Sequence, residues 1–209
     1  MFRVVKSNPP RKNFNYNDAD IVELVQKDFH LKCYLCEEQI PRHLEVEHFF
    51  PQVHFPHLIN DWANLICICG KCNKIRPKNI NKIGNEVLNP CVDEVDKNIE
   101  LSIDFIADKI LITAHNTENK TTNTVTLLDR IHNGTNSTSP SYKHLQIEIK
   151  KNLSEFEQLI ANYYGTINQE GNKNLMKEKL SVKSPFTAFK RWYILNNEKY
   201  RLDFEELFD

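Results

Sequence analysis

Two cysteine pairs with the same two-residue gap, Cys33-Tyr-Leu-Cys36 and Cys69-Gly-Lys-Cys72, constrain this chain more than any other feature. A two-residue gap lets the backbone turn both thiolates onto one ion, and two such pairs complete a tetrahedral site. The pairs are 32 residues apart, whereas a plain zinc ribbon leaves about 15–20. The intervening chain must therefore carry structure of its own. The plainer alternative is burial as free thiols, since unpaired cysteine is among the most buried residue types. Matched spacing favours one structural Zn2+ on Cys33, Cys36, Cys69 and Cys72. Cys67 also precedes Cys72, but only Cys69 repeats the first spacing, so Cys67 and the isolated Cys91 read as core. The first residues, MFRVVKSNPPRK, contain no apolar stretch of signal-peptide length, and no run approaches the ~20 residues of a membrane span. A cytoplasmic protein with reduced thiols and no membrane partner is expected.

The surrounding sequence divides into three parts: an arm and helix over 1–30, a motif-bearing segment over 31–91, and an accessory α+β region over 92–209. Residues 1–16, with Pro9-Pro10, read as an extended arm. A helix is expected over 18–29, with Ile21, Leu24, Val25 and Phe29 on one face. The stretch 101–113 alternates like two strands about an Ala-Asp-Lys turn, and TNTVTLLD at 122–129 reads as a third strand. HNGTNSTSP (132–140) is the most linker-like stretch. Beyond it an amphipathic helix is expected over 141–163, then shorter ones near 173–181 and from Pro185 to Leu195. The ending DFEELFD and the arm are too apolar for solvated tails, and either could anchor a partner.

Between the cysteine pairs lie Leu44-Glu-Val-Glu47-His48-Phe-Phe-Pro51 and Trp62-Ala-Asn64-Leu-Ile-Cys-Ile-Cys69. Residues 44–48 alternate as a strand, a turn-rich stretch follows, and a second apolar run enters the second knuckle. An acidic residue before His48, Pro51, the Asn64-Leu65 pair and Cys-x-x-Cys-Asn73 fall in an order that resembles the HNH endonuclease family in its four-cysteine form. The resemblance covers about 31–76. It implies an α+β fold: a ββα-metal (HNH) nuclease core on a structural zinc, with an appended small β-sheet and C-terminal helices. It also implies roles. His48 would be the general base, which suits an imidazole near neutral pH, and Asn64 would orient the hairpin. Glu47 and Asn73 would hold one catalytic Mg2+ or Mn2+. Glu47 stands where the family often has Asp, and Asn73 where it often has His; both favour hard cations. One tension is geometric: neighbours on a strand point to opposite faces, so Glu47 and His48 can converge only where the strand ends.

Lys71, Lys74, Arg76, Lys78 and Lys82 follow the motif and could grip flanking phosphates. Yet the chain carries 27 basic and 28 acidic residues, a net charge of −1. That balance is unlike a dedicated nucleic-acid binder. The N-terminal arm and helix, Leu88-Asn-Pro-Cys-Val-Asp93, the strand pair and Leu127-Leu-Asp-Arg130 before a long helix together resemble the HNH subunits of Septu-type and retron-associated anti-phage systems. That resemblance implies a neighbouring ABC/SMC-like ATPase, which would supply the missing surface for nucleic acid, DNA before RNA. The contrasting reading is a non-catalytic zinc module that binds nucleic acid or protein. A stand-alone restriction or homing-type enzyme is disfavoured by the charge balance.

Overall fold

The computed structural model describes residues 1–136, 140–165 and 169–209. Helix α1 spans Ala19–Asp28 and buries Ile21 and Val25. The first sheet is a hairpin of β1 (Leu44–His48) and β2 (Leu65–Cys69), antiparallel with Leu44 opposite Cys69 and His48 opposite Leu65. Strand β2 is buried along its whole length, as the unbroken apolar run LICIC requires, whereas β1 alternates. Helix α2 (Gly70–Ile75) starts directly from the end of β2. A single turn, α3 (Val95–Asn98), leads into the second antiparallel pair, β3 (Ile99–Asp104) with β4 (Lys109–Ala114). The chain closes with α4 (Asn119–Asn133), α5 (Ser141–Gly165), α6 (Gln169–Leu180), α7 (Thr187–Leu195) and α8 (Glu198–Phe204).

The α+β class and the strand pair at 101–113 agree with the sequence, but 122–129 is helix, not strand. Thr and Val favour strands by propensity. Here Thr121, Thr124, Leu127, Leu128 and Ile131 form one buried helical stripe that outweighs it. The threonine hydroxyls bond back one turn, Thr124 Oγ1 to the Lys120 carbonyl at 2.7 Å and Thr126 Oγ1 to that of Thr122 at 3.0 Å. Gly134 (φ 69°) ends this helix in the left-handed region. The linker expected at 132–140 therefore begins two residues late, and its 137–139 portion lies outside the described residues.

Two apolar clusters hold the structure. The larger joins Phe2, Val25, Tyr34, Leu65, Ile99, Leu128, Ile149 and Phe189. The smaller joins Leu153, Phe156, Ile160, Met176, Leu180, Ile194 and Phe204. Both chain ends are absorbed into them, which corrects the expectation that either is a free docking segment. Met1, Phe2 and Val4 are buried, and the Val4 amide donates to the Pro90 carbonyl at 2.8 Å. Phe204 is buried, and the Asp209 carboxylate accepts from Ser181 Oγ at 2.6 Å and the Val182 amide at 2.8 Å. An apolar pattern at a terminus records burial here, in the chain's own core. Among the described residues no helix is long and apolar enough to cross a membrane. Removing the Phe204 ring should cost about 3–5 kcal/mol, as for other buried aromatics. Urea unfolding of Phe204→Ala checks this; a change of no more than about 0.5 kcal/mol, the ordinary size of a surface effect, would return the segment to the surface.

Candidate functional site

The two cysteine pairs meet because the first knuckle docks on the second strand. The Tyr34 amide donates to the Cys67 carbonyl at 3.0 Å, and the knuckle closes on itself with Glu37 N to Cys33 O at 2.9 Å. Glu37 takes a left-handed φ of 60° to do so. The ligand atoms of Cys33, Cys36, Cys69 and Cys72 all lie within 4.8 Å of one another, and all four residues are buried. Cys36 Sγ and Cys69 Sγ are 3.9 Å apart, close to the edge of about 3.8 Å of a tetrahedron with metal–sulfur bonds of about 2.3 Å. The Cys69 thiol is held far below its ordinary range by bonds from Cys33, then Cys36 and Cys72. The Cys36 and Cys72 thiols are driven up, first by their contact with Cys33. A divalent cation bound by all four would favour the thiolate at each. The cluster could hold one metal ion, and its donors are compatible with zinc. Cys67 is buried but is not one of the four, and Cys91 stands apart.

The hairpin carries the remaining groups on its two faces. Glu45 and Glu47 share one face of β1, as alternate residues do. Across from them, Asn73 on α2 donates through Nδ2 to Glu45 Oε2 at 3.0 Å and to Glu47 Oε1 at 3.2 Å. The approach is close. A Cβ on Gly70 would stand 2.9 Å from Glu45 Oε1, so a side chain there would push the glutamate away.

His48, the last residue of β1, turns to the other face. It is 1 % exposed. Its Nε2 lies 2.8 Å from the Ile59 carbonyl, its Nδ1 lies 2.9 Å from Gln52 Nε2, and the Tyr16 ring meets it edge-on at 4.7 Å between centroids. A carbonyl can only accept, so the Ile59 contact puts the proton on Nε2 and leaves the lone pair on Nδ1. Among the described residues no hydrogen bond joins the His48 ring to Glu47 or Asn73. Asn64 clamps the chain just past His48: its Oδ1 accepts from the Phe50 amide at 2.7 Å. Its Nδ2 donates to the Phe50 and Leu58 carbonyls at 3.2 and 3.1 Å. Arg76 reaches back from the end of α2 to the His48 carbonyl at 3.0 Å.

The expected basic set divides. Lys71 and Lys74 line a cleft of about 580 Å³ with Arg42, His43 and His144. Lys71 also approaches Glu38 at 3.9 Å. Arg76 is committed to the hairpin, and Lys78 and Lys82 are exposed on the following loop. Three participants were not singled out in the sequence. Glu45 carries a signal, because the alternation of Leu44-Glu-Val-Glu47 puts it beside Glu47. Gln52 and Tyr16 carry none, since only the turn after Pro51 and the path of the arm bring them to His48.

No family model matches the chain. It is similar to the Septu protein PtuB of Bacillus thuringiensis, 33 % identical over 73 residues, which is 34 % of this chain and 28 % of that protein. It is also similar to the Septu protein PtuB of Bacillus mycoides, 28 % identical over 116 residues, 41 % of this chain and 39 % of that protein. The matches thus span about a third of the length of these curated relatives.

If one ion holds the knuckles, metal binding is part of folding stability. Cys36→Ser should lower the melting temperature, and a strong chelator should lower that of the wild type but change the variant little. Calorimetry with and without chelator reads both; equal melting temperatures throughout would leave the cysteines as ordinary core.

Proposed function

We propose that this chain is a metal-dependent endonuclease of the HNH type that hydrolyses phosphodiester bonds, DNA before RNA. The observation that carries the reading is the reach of Asn73 across to both Glu45 and Glu47 beside a hairpin that ends on His48. Turning the Asn73 amide about its last bond exchanges Nδ2 for Oδ1. The three side chains then present oxygen to one point, a donor set for a hard cation such as Mg2+ or Mn2+. Glu45, Glu47 and Asn73 would hold such a cation, which would supply charge neutralisation at a non-bridging phosphate oxygen and at the leaving 3′ oxygen.

The chain's own residues supply the rest. His48 Nδ1 accepts a proton from water, because Nε2–H is engaged by the Ile59 carbonyl. The resulting hydroxide attacks phosphorus as the bond to the 3′ oxygen breaks. Asn64 fixes the turn that fixes His48. Lys71 and Lys74 hold phosphates flanking the scissile bond from the adjoining cleft, with Lys78 and Lys82 beyond. A structural zinc on the four cysteines keeps α2, and so Asn73, in place against β1. A net charge of −1 leaves much of the substrate surface to a partner. The likeness to Septu proteins supports a role in an anti-phage complex, with an ABC/SMC-like ATPase as that partner.

Two observations favour the non-catalytic zinc module instead, the burial of His48 and its turn to the face opposite Glu45 and Glu47. Cleavage separates the two readings. His48→Ala should lose about 10²–10⁴-fold in metal-dependent cleavage, the usual contribution of a general base, with the fold intact. Glu47→Ala and Asn73→Ala should shift the Mg2+ or Mn2+ dependence to higher concentration. Wild-type cleavage by His48→Ala would remove the nuclease assignment.

A further inference from the structure

The face of His48 that a reacting water must reach is closed by groups that the mechanism does not use. The Gln52 amide donates to Nδ1 at 2.9 Å and stands 3.5 Å from Nε2, so it sits against the one ring nitrogen that carries a lone pair. The Tyr16 ring covers the imidazole from outside at 4.7 Å. Tyr16 belongs to the N-terminal arm, which is tied to the same loop: its amide donates to Asn60 Oδ1 at 3.0 Å. Further along the arm, the Ser7 carbonyl accepts from Trp62 Nε1 at 2.7 Å, Lys6 Nζ donates to the Leu65 carbonyl at 2.9 Å, and Phe14 meets Trp62 edge-on. Arm and loop therefore form one layer over the base.

That layer is thin. Val53 is 75 % exposed and Ile59 37 % exposed, and Asn60 is exposed too. Below His48, by contrast, the Asn64 clamp is buried and triply bonded. The cover is exposed to solvent where the floor is not.

We infer that Gln52 and Tyr16 form a latch over His48, which withholds the base until the Gln52 side chain and the arm at Tyr16 move off the ring. The latch rests on the proposed nuclease reading for its purpose, but not for its geometry. A nuclease that acts only on a signal needs a closed resting state, and here one amide and one ring provide it. Opening breaks the Gln52–Nδ1 bond and the Tyr16–Asn60 bond, and it leaves the Ile59 carbonyl to hold the tautomer that makes Nδ1 the acceptor.

The test labels histidines of the full chain with diethylpyrocarbonate at one pH and reads each site by mass spectrometry. Internal standards exist, because His43 and His57 are exposed while His132 is fully buried. In the wild type His48 should react slowly, like His132. In Gln52→Ala it should react about two- to tenfold faster, the factor that goes with losing an ordinary hydrogen bond, and in Tyr16→Ala, which removes the ring that covers the imidazole, it should react faster too, while His132 stays protected. Should Tyr16→Ala expose His132, that variant has lost its fold, and Gln52→Ala alone decides. Wild-type labelling of His48 as fast as His57, or no acceleration in folded Gln52→Ala, overturns the latch. Basal cleavage measured on the same samples should rise with labelling. Faster labelling with no cleavage in any variant would keep the latch and remove the nuclease reading.

Discussion

Four sulfur atoms brought within 4.8 Å of one another are the constraint on which the rest of the structure depends. They come from two places far apart in sequence, the turn after α1 and the junction of β2 with α2. Holding them together fixes where β2 ends and where α2 begins. Asn73 follows Cys72 directly, so the same junction decides how that side chain faces β1. The ends of the second pair are thus shared between the cysteine cluster and the carboxylates on the hairpin. Contacts among the sulfurs draw the Cys69 thiol down and push those of Cys36 and Cys72 up.

The knuckle also ties the hairpin to the far end of the chain. Glu37, next to Cys36, is buried, and its Oε2 accepts from the Ala188 amide at 3.1 Å at the start of α7. Lys32 lies 3.8 Å from the same carboxylate, donates to the Ser184 carbonyl at 2.8 Å and sits over the Phe2 ring. Burial pushes the Lys32 ammonium down to about 8 and that of Lys190, bonded to Ser184 Oγ, to about 7. Removing a partner from such a group exposes its full desolvation cost. The knuckle is therefore bonded directly to the C-terminal helices through Glu37, and the helices are more than an appendage.

Much of this was legible in the sequence where periodicity and spacing speak. The matched cysteine gaps pick out the four that converge and leave out Cys67. The alternation in LEVEH shows the strand, and the apolar spacing of Leu145, Ile149, Leu153, Phe156 and Ile160 shows α5. Propensity misled at 122–129, where threonines that favour strands bond back along a helix. Apolar termini misled about partners, because composition cannot tell a docking segment from the chain's own core. The contacts of His48 were out of reach for another reason. Gln52, Ile59 and Tyr16 are placed by a turn and by the course of an irregular arm, and neither leaves a period.

A single ion on the four thiolates would set the hairpin that carries Glu47, His48, Asn64 and Asn73. X-ray absorption at the zinc edge of the purified protein tests it most directly. The account predicts about four sulfur neighbours at about 2.3 Å and no nitrogen or oxygen in the first shell. A shell containing histidine or carboxylate donors, or well-folded protein with no bound metal, would contradict it.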